Sequence, residues 1–325
     1  TGRLRHEQVV RGIDSPSFVC VAPDGRSLYA ASEVPERPEG VIGAYAVSPD
    51  DGYLEPLGFQ RMGGAWASYL TMDPQGRALL LADYGRGRVA LMTVRSDRSL
   101  GPVASAHQLA GTGPNAARQD GPHTHCIVVS PDGRYAFAAD LGADRVFGYR
   151  LDIDGPGLIP HRELELPAGS GPRHLVFAPA GHHAYLVGEL DSTLTVLGYE
   201  AGSGRLGIVE THPLLPAEFA GDSLAADVQV HPSGRFLYAS NRGHDSIAVF
   251  AIESAGRLEV LGHRASEGRT PRNLAISPDG RYLLVGNQDS DIIVTMPIDA
   301  DTGLLGETVS AIETPTPACL VFGSV

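Results

Sequence analysis

A turn that recurs six times constrains this chain more than any other feature of its sequence. Each copy has a proline, a glycine two residues later and, in five copies, an arginine after the glycine; the prolines are Pro23, Pro74, Pro131, Pro179, Pro232 and Pro278. Successive prolines lie 46 to 57 residues apart, which gives a period near 50 residues. A fixed period of this size is typical of repeat architectures, in which each repeat is one supersecondary unit.

Short β-type runs flank each turn. Residues 127–130 and 135–139 enclose one copy, and because proline presets φ while glycine accepts positive φ, the pattern predicts a β-hairpin. A third run follows each hairpin, as at residues 246–250, and a Gly-Xaa-Leu turn such as 256–258 introduces a fourth. Four strands per repeat of about 50 residues predict the blade of a β-propeller.

Six complete repeats occupy residues 17–313, and the two ends of the chain are left over. Residues 316–322 resemble only the first strand of a blade, and residues 1–10 resemble a fourth strand. We therefore predict an all-β, seven-bladed propeller of four-stranded antiparallel blades, forming one domain over residues 1–325. Its seventh blade is incomplete and closed by both termini, which removes the free sheet edges. Because two strands of that blade are missing, we expect roughly 30 further residues before Thr1.

Composition excludes several classes of function. With 25 basic and 38 acidic residues the net charge is -13, which disfavours nucleic acid and membranes as partners. The sequence contains no lysine, so Schiff-base chemistry on a lysine is excluded. Cys20, Cys126 and Cys319 are widely spaced without a CxxC pair. This spacing favours three reduced core thiols in a cytoplasmic protein over disulfides or a zinc site.

Aligning the repeats predicts which side chains converge. In a blade the start of the first strand lies beside the end of the second, because the two strands are antiparallel. Six residues before the turn proline the chain carries Ser17, Ser68, His125, Arg173, Ala226 and Arg272. Ten residues after it the chain carries Glu33, Tyr84, Leu141, Glu189, Arg242 and Gln288. We expect the ionisable members of both sets to lie at one mouth of the propeller channel.

Arginines dominate this predicted mouth. The hairpin makes Arg173 and Glu189 cross-strand neighbours, about 5 Å apart at Cβ, and a structural ion pair is the alternative to a functional role. Arg242 and Arg272 on the same face favour an anion site, because guanidinium groups bind carboxylate or phosphate in bidentate fashion. In a chain of net charge -13 such a cluster is a local exception.

The histidines divide into two groups. His123 and His125 project to the same side of one strand, but no third metal ligand is evident, so we predict no metal and no cofactor. His125 is the better candidate for a general acid or base. Asp140 either orients His125 or caps a turn. His174 is favoured as a packed histidine without a role at the site.

The longest repeat spacing comes from a loop at residues 111–121. Arg118 in this loop precedes the strand that carries the two histidines. The loop is either a mobile flap that adds a cation to the anion site or a plain solvated insertion. No GxSxG motif occurs, which disfavours a serine hydrolase.

The chain resembles a known family through six motifs in order. They are GPHTH at 121–125, ADLG at 139–142, GPRH at 171–174, GEL at 188–190, SNRGHDS at 240–246 and TPR at 270–272. Together they are similar to the lactonase family of seven-bladed propellers, which contains bacterial 6-phosphogluconolactonases and fungal 3-carboxy-cis,cis-muconate lactonizing enzymes. In the lactonizing branch the catalytic His, Arg, Glu and Arg fall on His125, Arg173, Glu189 and Arg242.

The resemblance implies a hydrolase that opens a sugar lactone, 6-phosphoglucono-1,5-lactone in the pentose phosphate pathway, without a metal. Arg173 would stabilise the oxyanion, and Glu189 or His125 would take the proton from water. Arg242 and Arg272 would hold the phosphate of a small anionic substrate, with His123 and Arg118 as further substrate-binding residues. The alternatives are a cycloisomerase that closes a carboxymuconate to a lactone and a noncatalytic binding propeller.

Overall fold

The computed structural model describes residues 2–34 and 39–323, which form six four-stranded antiparallel sheets. In every sheet the four strands are hydrogen-bonded in sequence order. The chain divides into two compact units, called here the N-terminal unit (residues 8–172) and the C-terminal unit (residues 173–322 with residues 2–7). The described residues include no helix long and apolar enough to cross a membrane.

The N-terminal unit contains three sheets. Their strands are β1 (Pro16–Val21), β2 (Ser27–Ser32), β3 (Val41–Val47), β4 (Leu54–Arg61), β5 (Ala67–Met72), β6 (Ala78–Asp83), β7 (Arg88–Val94), β8 (Leu100–Gln108), β9 (Thr124–Val129), β10 (Tyr135–Asp140), β11 (Arg145–Asp152) and β12 (Gly157–Glu165). The first strands β1, β5 and β9 lie next to one another in order.

The C-terminal unit repeats the same plan. Its strands are β13 (Pro172–Phe177), β14 (His183–Gly188), β15 (Thr193–Glu200), β16 (Arg205–Pro213), β17 (Leu224–Val230), β18 (Phe236–Arg242), β19 (Ser246–Ile252), β20 (Leu258–Ala265), β21 (Pro271–Ile276), β22 (Tyr282–Asn287), β23 (Ile292–Pro297) and β24 (Ser310–Glu313). Two 3₁₀ turns, Ser254–Gly256 and Gln288–Ser290, join strands within the last two sheets.

The recurring proline-glycine turn joins the first and second strands of all six sheets, as predicted. In the turn between β9 and β10, Gly133 has φ 70° and donates its N–H to the carbonyl of Ser130 at 2.8 Å. The Ser130 hydroxyl donates to Asp132 Oδ1 at 2.6 Å, and an aspartate that binds its own turn in this way stabilises it.

The core of each unit lies between the apolar faces of neighbouring sheets. In the N-terminal unit one cluster includes Tyr29, Ile42, Leu70, Leu79 and Leu81, all almost fully buried. In the C-terminal unit an equivalent cluster includes Tyr185, Val196, Leu237 and Phe250. Successive side chains of a strand point to opposite faces of its sheet. The second strands are continuous apolar runs because both of their faces are buried.

The predicted seventh blade is not formed within residues 2–34 and 39–323, where six sheets are found rather than seven. Residues 2–11 and 314–323 contain no strand, and Thr1 lies outside the described residues. The physical reason is the lack of ladder partners, because a lone candidate strand has no neighbour with which to pair its backbone. Leu4 N nonetheless donates to Ser310 Oγ at 3.2 Å, and Leu320 N to Asn273 Oδ1 at 2.6 Å.

Candidate active site

A β-bulge marks the position that the repeat alignment selects in five first strands. Pairing between the first and second strands skips one residue at Ser17, Ser68, His125 and Arg272, and slips by one residue at Ala226 and Asp227. A bulge leaves a residue outside the ladder and re-aims its side chain, and bulges are over-represented next to active sites. The backbone thus directs these aligned side chains out of the regular sheet.

A carboxylate shared by two arginines forms the centre of the candidate site in the C-terminal unit. Arg173 on β13 places Nε 2.9 Å from Glu189 Oε2, and Arg242 at the end of β18 places Nη2 2.9 Å from the same oxygen. The Arg173 contact is an ion pair in which the N–H does not point straight at the oxygen. The expected contact between Arg173 and Glu189 is therefore present, and Arg242 joins it.

Arg173 is held on a second side as well. Its Nη1 donates to the carbonyl of Ala226 and lies 3.2 Å from His174 Nε2. Burial, followed by repulsion from Arg242, lowers the pKa of Arg173 well below its ordinary value, to about 9, which still leaves the guanidinium charged at neutral pH. Arg173 therefore presents a fixed positive charge in a site from which water is largely excluded.

A line of buried polar side chains lies behind Arg173. His174 Nδ1 is 2.8 Å from Asp227 Oδ1, and Asn273 Nδ2 donates to Asp227 Oδ2 at 2.7 Å. Arg173 and these three residues are only 2% to 5% exposed. Burial, followed by the charge of Arg173, lowers the pKa of His174 to about 4. Burial alone would raise the pKa of Asp227, but the hydrogen bond from His174 leads the effects that hold it below its usual range.

This polar line was not predicted from the sequence. His174 was expected to be a packed histidine, and Asp227 and Asn273 were not among the predicted site residues. The signal was present, because these residues occupy one aligned position, five before the turn proline, in three successive repeats. The same position in the first two repeats carries Phe18 and Tyr69, so the polar line is confined to part of the chain.

Arg272, in the bulge of β21, is the third arginine of the cluster. Its charge acts on both Arg173 and His174, lowering the pKa of each. Within residues 2–34 and 39–323 its half-buried guanidinium has neither an ion pair nor a hydrogen bond. Three guanidinium groups thus face two carboxylates, Glu189 and Asp227, which leaves the cluster with an excess positive charge suited to an anion.

The two predicted histidines meet an aromatic residue in the N-terminal unit. The ring of His123 stacks on Tyr84 at 4.7 Å, and the ring of His125 contacts the same tyrosine edge-on at 5.5 Å. His123, just before β9, and His125, in the bulge of β9, therefore contact the same aromatic ring. His123 Nε2 also lies 3.1 Å from Asp120 Oδ1, and Trp66 stacks on Tyr84 at 6.2 Å.

Asp140 and the loop at 111–121 have structural partners. Asp140 accepts hydrogen bonds from the backbone of His123 and Ala143 and from the Thr124 hydroxyl, so it caps a turn, and burial raises its pKa. In the loop, the buried Gln119 donates to the Leu141 carbonyl at 2.9 Å, which pins the end of the loop.

Arg118 lies beside the histidines. Its Nη2 is 3.4 Å from the hydroxyl of Tyr84, whose ring contacts both His123 and His125. His123, His125 and Arg118 therefore form one group in the N-terminal unit, while Arg173, Glu189, Arg242 and Arg272 form another in the C-terminal unit. No set of three or more His, Cys, Asp or Glu side chains arranged to hold a metal is found among the described residues.

Comparison with known proteins assigns the family. The family model described as "Lactonase, 7-bladed beta-propeller" matches residues 1–322. The chain belongs to this family. Its six four-stranded antiparallel sheets are accordingly blades of a β-propeller.

Curated relatives and a solved structure agree with this assignment. A 6-phosphogluconolactonase of Bacillus subtilis is 30% identical over 98% of this chain and 90% of its own length. A 6-phosphogluconolactonase of Formosa agariphila is 32% identical over 91% of this chain and 85% of its own. The structure of a periplasmic gluconolactonase from Pseudomonas aeruginosa is similar with a TM-score of 0.87 and 35% identity, covering 97% of this chain and 88% of that one.

Proposed function

We propose that this chain is a lactonase that opens 6-phosphoglucono-1,5-lactone, and that the cluster of Arg173, Glu189, Arg242 and Arg272 is where it does so. The observation that carries the proposal is the Glu189 carboxylate shared by two arginines, with a third arginine beside them that has no partner among the described residues. Two nearby cations keep a carboxylate ionised, and the remaining positive charge attracts an anionic substrate.

Hydrolysis of a lactone requires a polarised carbonyl, an activated water and a grip on the substrate. Arg173, rigidly held and charged, would donate to the oxygen that becomes negative when water attacks the carbonyl carbon. Glu189 takes the proton that the attacking water loses and then delivers it to the ring oxygen. The bond between this oxygen and the carbonyl carbon breaks, and the oxygen leaves as the hydroxyl group of the opened sugar acid. Arg242 and Arg272 would bind the phosphate. For the N-terminal unit, His125 as an acid or base and His123 and Arg118 as substrate-binding residues stay predictions.

The demands on this machinery are modest. A sugar lactone opens readily without an enzyme, so acid-base catalysis of about 100-fold to 10,000-fold is sufficient. A covalent nucleophile is not required, and Ser68 is unsuited to be one because its hydroxyl donates to the carbonyls of Thr124 and His125 at 3.1 Å. The proposed mechanism therefore uses charge, position and one proton acceptor.

The seventh blade and the cellular location of the protein also remain to be established. We propose that the segments beside Ser310 and Asn273 take the places of the fourth and first strands of a seventh blade, in line with the family description. A single domain over residues 1–325 and a cytoplasmic location stay predictions. The named location of the Pseudomonas relative is periplasmic, so fractionation of cells producing the native protein is the measurement for location.

A direct comparison of substrates tests the proposed function. Purified protein is given freshly prepared 6-phosphoglucono-1,5-lactone, glucono-1,5-lactone and 3-carboxy-cis,cis-muconate in parallel, with the spontaneous ring opening subtracted. We expect the highest kcat/KM for the phosphorylated lactone. Turnover of the muconate alone would make the protein a cycloisomerase, and no turnover of any of the three would leave a binding propeller.

A further inference from the structure

The buried polar line behind Arg173 connects three successive blades of the C-terminal unit. His174 follows Arg173 on β13, Asp227 lies in the bulge of β17 and Asn273 lies on β21. Each pair is joined by a short contact, 2.8 Å from His174 to Asp227 and 2.7 Å from Asn273 to Asp227. Core positions in a propeller are normally apolar, and burying polar groups costs free energy unless every one is bonded.

Asp227 is bonded at both oxygens. Oδ1 accepts hydrogen bonds from His174 Nδ1 and from the backbone N–H of Val228 at 2.9 Å. Oδ2 accepts hydrogen bonds from Asn273, from the backbone N–H of Leu274 at 2.9 Å and from Gln229 at 3.2 Å. A carboxylate with this many donors is fixed in position and stays ionised. Asp227 is therefore a rigid acceptor for the imidazole of His174.

The protonation of His174 follows from its two neighbours. A carboxylate can only accept a hydrogen bond, so Nδ1 of His174 carries the proton that points to Asp227. Nε2 is then left with a lone pair, and the group facing it at 3.2 Å is Nη1 of Arg173, which can only donate. The opposite tautomer would direct an N–H at a guanidinium and would be repelled.

This arrangement determines where the guanidinium of Arg173 points. Nη1 is held by the Ala226 carbonyl and by His174, and Nε faces Glu189. Among the described residues no group accepts a hydrogen bond from Nη2 of Arg173. Contacts at Nη1 and Nε thus leave Nη2 to donate to a ligand.

We propose that His174 and Asp227 are positioning residues, which hold Arg173 through a neutral imidazole in the Nδ1–H tautomer so that its Nη2 meets the developing oxyanion. The proposal rests on the proposed function. It gives His174 no contact with the substrate and no proton transfer. Its effect is on the geometry of Arg173, and displacing a catalytic group by about 1 Å can cost about 100-fold in rate.

The tautomer is tested without any turnover. The full chain is labelled with ¹⁵N-histidine, and two-bond ¹⁵N–¹H correlations distinguish Nδ1–H from Nε2–H imidazoles. The spectrum of His174→Gln identifies the His174 signals by their loss. We expect a neutral Nδ1–H ring in the wild type and a shift towards Nε2–H in Asp227→Asn, whose amide can donate to Nδ1. A wild-type Nε2–H or doubly protonated ring at pH 7 would overturn the proposal.

Kinetics test the positioning. His174→Leu removes the acceptor for Arg173, and we expect kcat for the phosphorylated lactone to fall about 100-fold with KM little changed. His174→Gln offers an amide oxygen to Arg173 and an amide N–H to Asp227, so it should recover most of that loss. Asp227→Asn should lower kcat at least as much as His174→Leu, because it favours the repelled tautomer.

A matched control lies at the other end of the same sheet as Asp227. His231, also buried, binds Ser233 Oγ at 2.7 Å through Nδ1 and the Gly280 carbonyl at 2.8 Å through Nε2. His231→Leu removes an equally bonded histidine from the turn end of β17, so a comparable loss of stability is expected with unchanged kcat.

The outcomes separate the two proposals. A folded His174→Leu protein with wild-type kcat overturns the positioning role while leaving lactone hydrolysis intact. An equal loss of kcat in His174→Leu, His174→Gln and His231→Leu would overturn it too, because general destabilisation would then explain the loss. Lack of turnover in the wild type overturns the proposed function, and the tautomer measurement remains interpretable.

Discussion

Replacing Arg173 by Ala tests whether this arginine has a catalytic role or only a structural one. The side chain has three partners, the Ala226 carbonyl, His174 Nε2 at 3.2 Å and Glu189 Oε2 at 2.9 Å. The substitution leaves the carbonyl and the imidazole nitrogen without their donor, at about 1–3 kcal/mol each. Glu189 keeps Arg242 at 2.9 Å, so its charge is not stranded. We expect a loss of about 3–5 kcal/mol in the free energy of unfolding, with the fold retained.

The loss in turnover should exceed what unfolding explains. Removing one donor to an oxyanion costs about 3 kcal/mol in the transition state, which is a fall of about 100-fold to 1,000-fold in kcat. Initial rates with fresh 6-phosphoglucono-1,5-lactone are followed by acid release in a weakly buffered indicator solution, and the spontaneous rate is subtracted. Urea unfolding of the same samples gives the folded fraction.

Arg145→Ala serves as the matched control. Arg145 binds Glu163 at 3.0 Å and Glu165 at 2.9 Å on the outer strands of its sheet, so its removal also takes an arginine from a carboxylate cluster. We expect its kcat to equal that of the wild type. If folded Arg173→Ala turned over the lactone as fast as Arg145→Ala, the oxyanion role would be refuted and Arg173 would be a structural partner of Glu189.

Three further predictions address the anion site, pH and the loop. Arg272→Ala should raise KM about tenfold for the phosphorylated lactone and hardly at all for glucono-1,5-lactone; equal changes in both would remove Arg272 from phosphate binding. His174, facing Arg173, Asp227 and Arg272, has a folded pKa of about 4 against an ordinary 6.5, so only the unfolded chain takes up a proton between these values. The free energy of unfolding should therefore fall as pH drops from about 6.5 towards 4, and urea titrations should show a shallower fall in His174→Gln. Arg118→Ala, or a short turn in place of the middle of 111–121, should raise KM more for the phosphorylated lactone than for its unphosphorylated analogue, and identical KM shifts would count against a substrate contact.

Local turn chemistry made most of the fold predictable. Each proline-glycine turn encodes its own hairpin, so β9 and β10 and their equivalents follow from a few residues without reference to distant parts of the chain. The predicted incomplete seventh blade forms no sheet in the described residues, because a strand depends on partners and the segments at residues 1–10 and 316–322 supply candidates for only two of its strands.

The candidate site was predictable only at the positions where the aligned repeats carry charged residues. Arg173 and Glu189 could be placed together because antiparallel pairing fixes which residues lie opposite one another. His174 was missed because alternation along β13 sends it away from Arg173 in a regular strand. Its contact with Asp227 depends on the bulge in β17, and a bulge has no clear signature in a single sequence.

The polar line also affects how the C-terminal unit comes apart. In repeat proteins each repeat mainly contacts its neighbours, so the stability is approximately a sum of contributions from single repeats and from their interfaces. Asp227, however, takes donors from the sheet before its own, through His174, and from the sheet after it, through Asn273 and Leu274. Detaching either sheet would leave a buried charge without part of its bonding, which is strongly unfavourable. The three blades should therefore melt as one cooperative block, so that the chemistry of a single carboxylate sets the size of the folding unit.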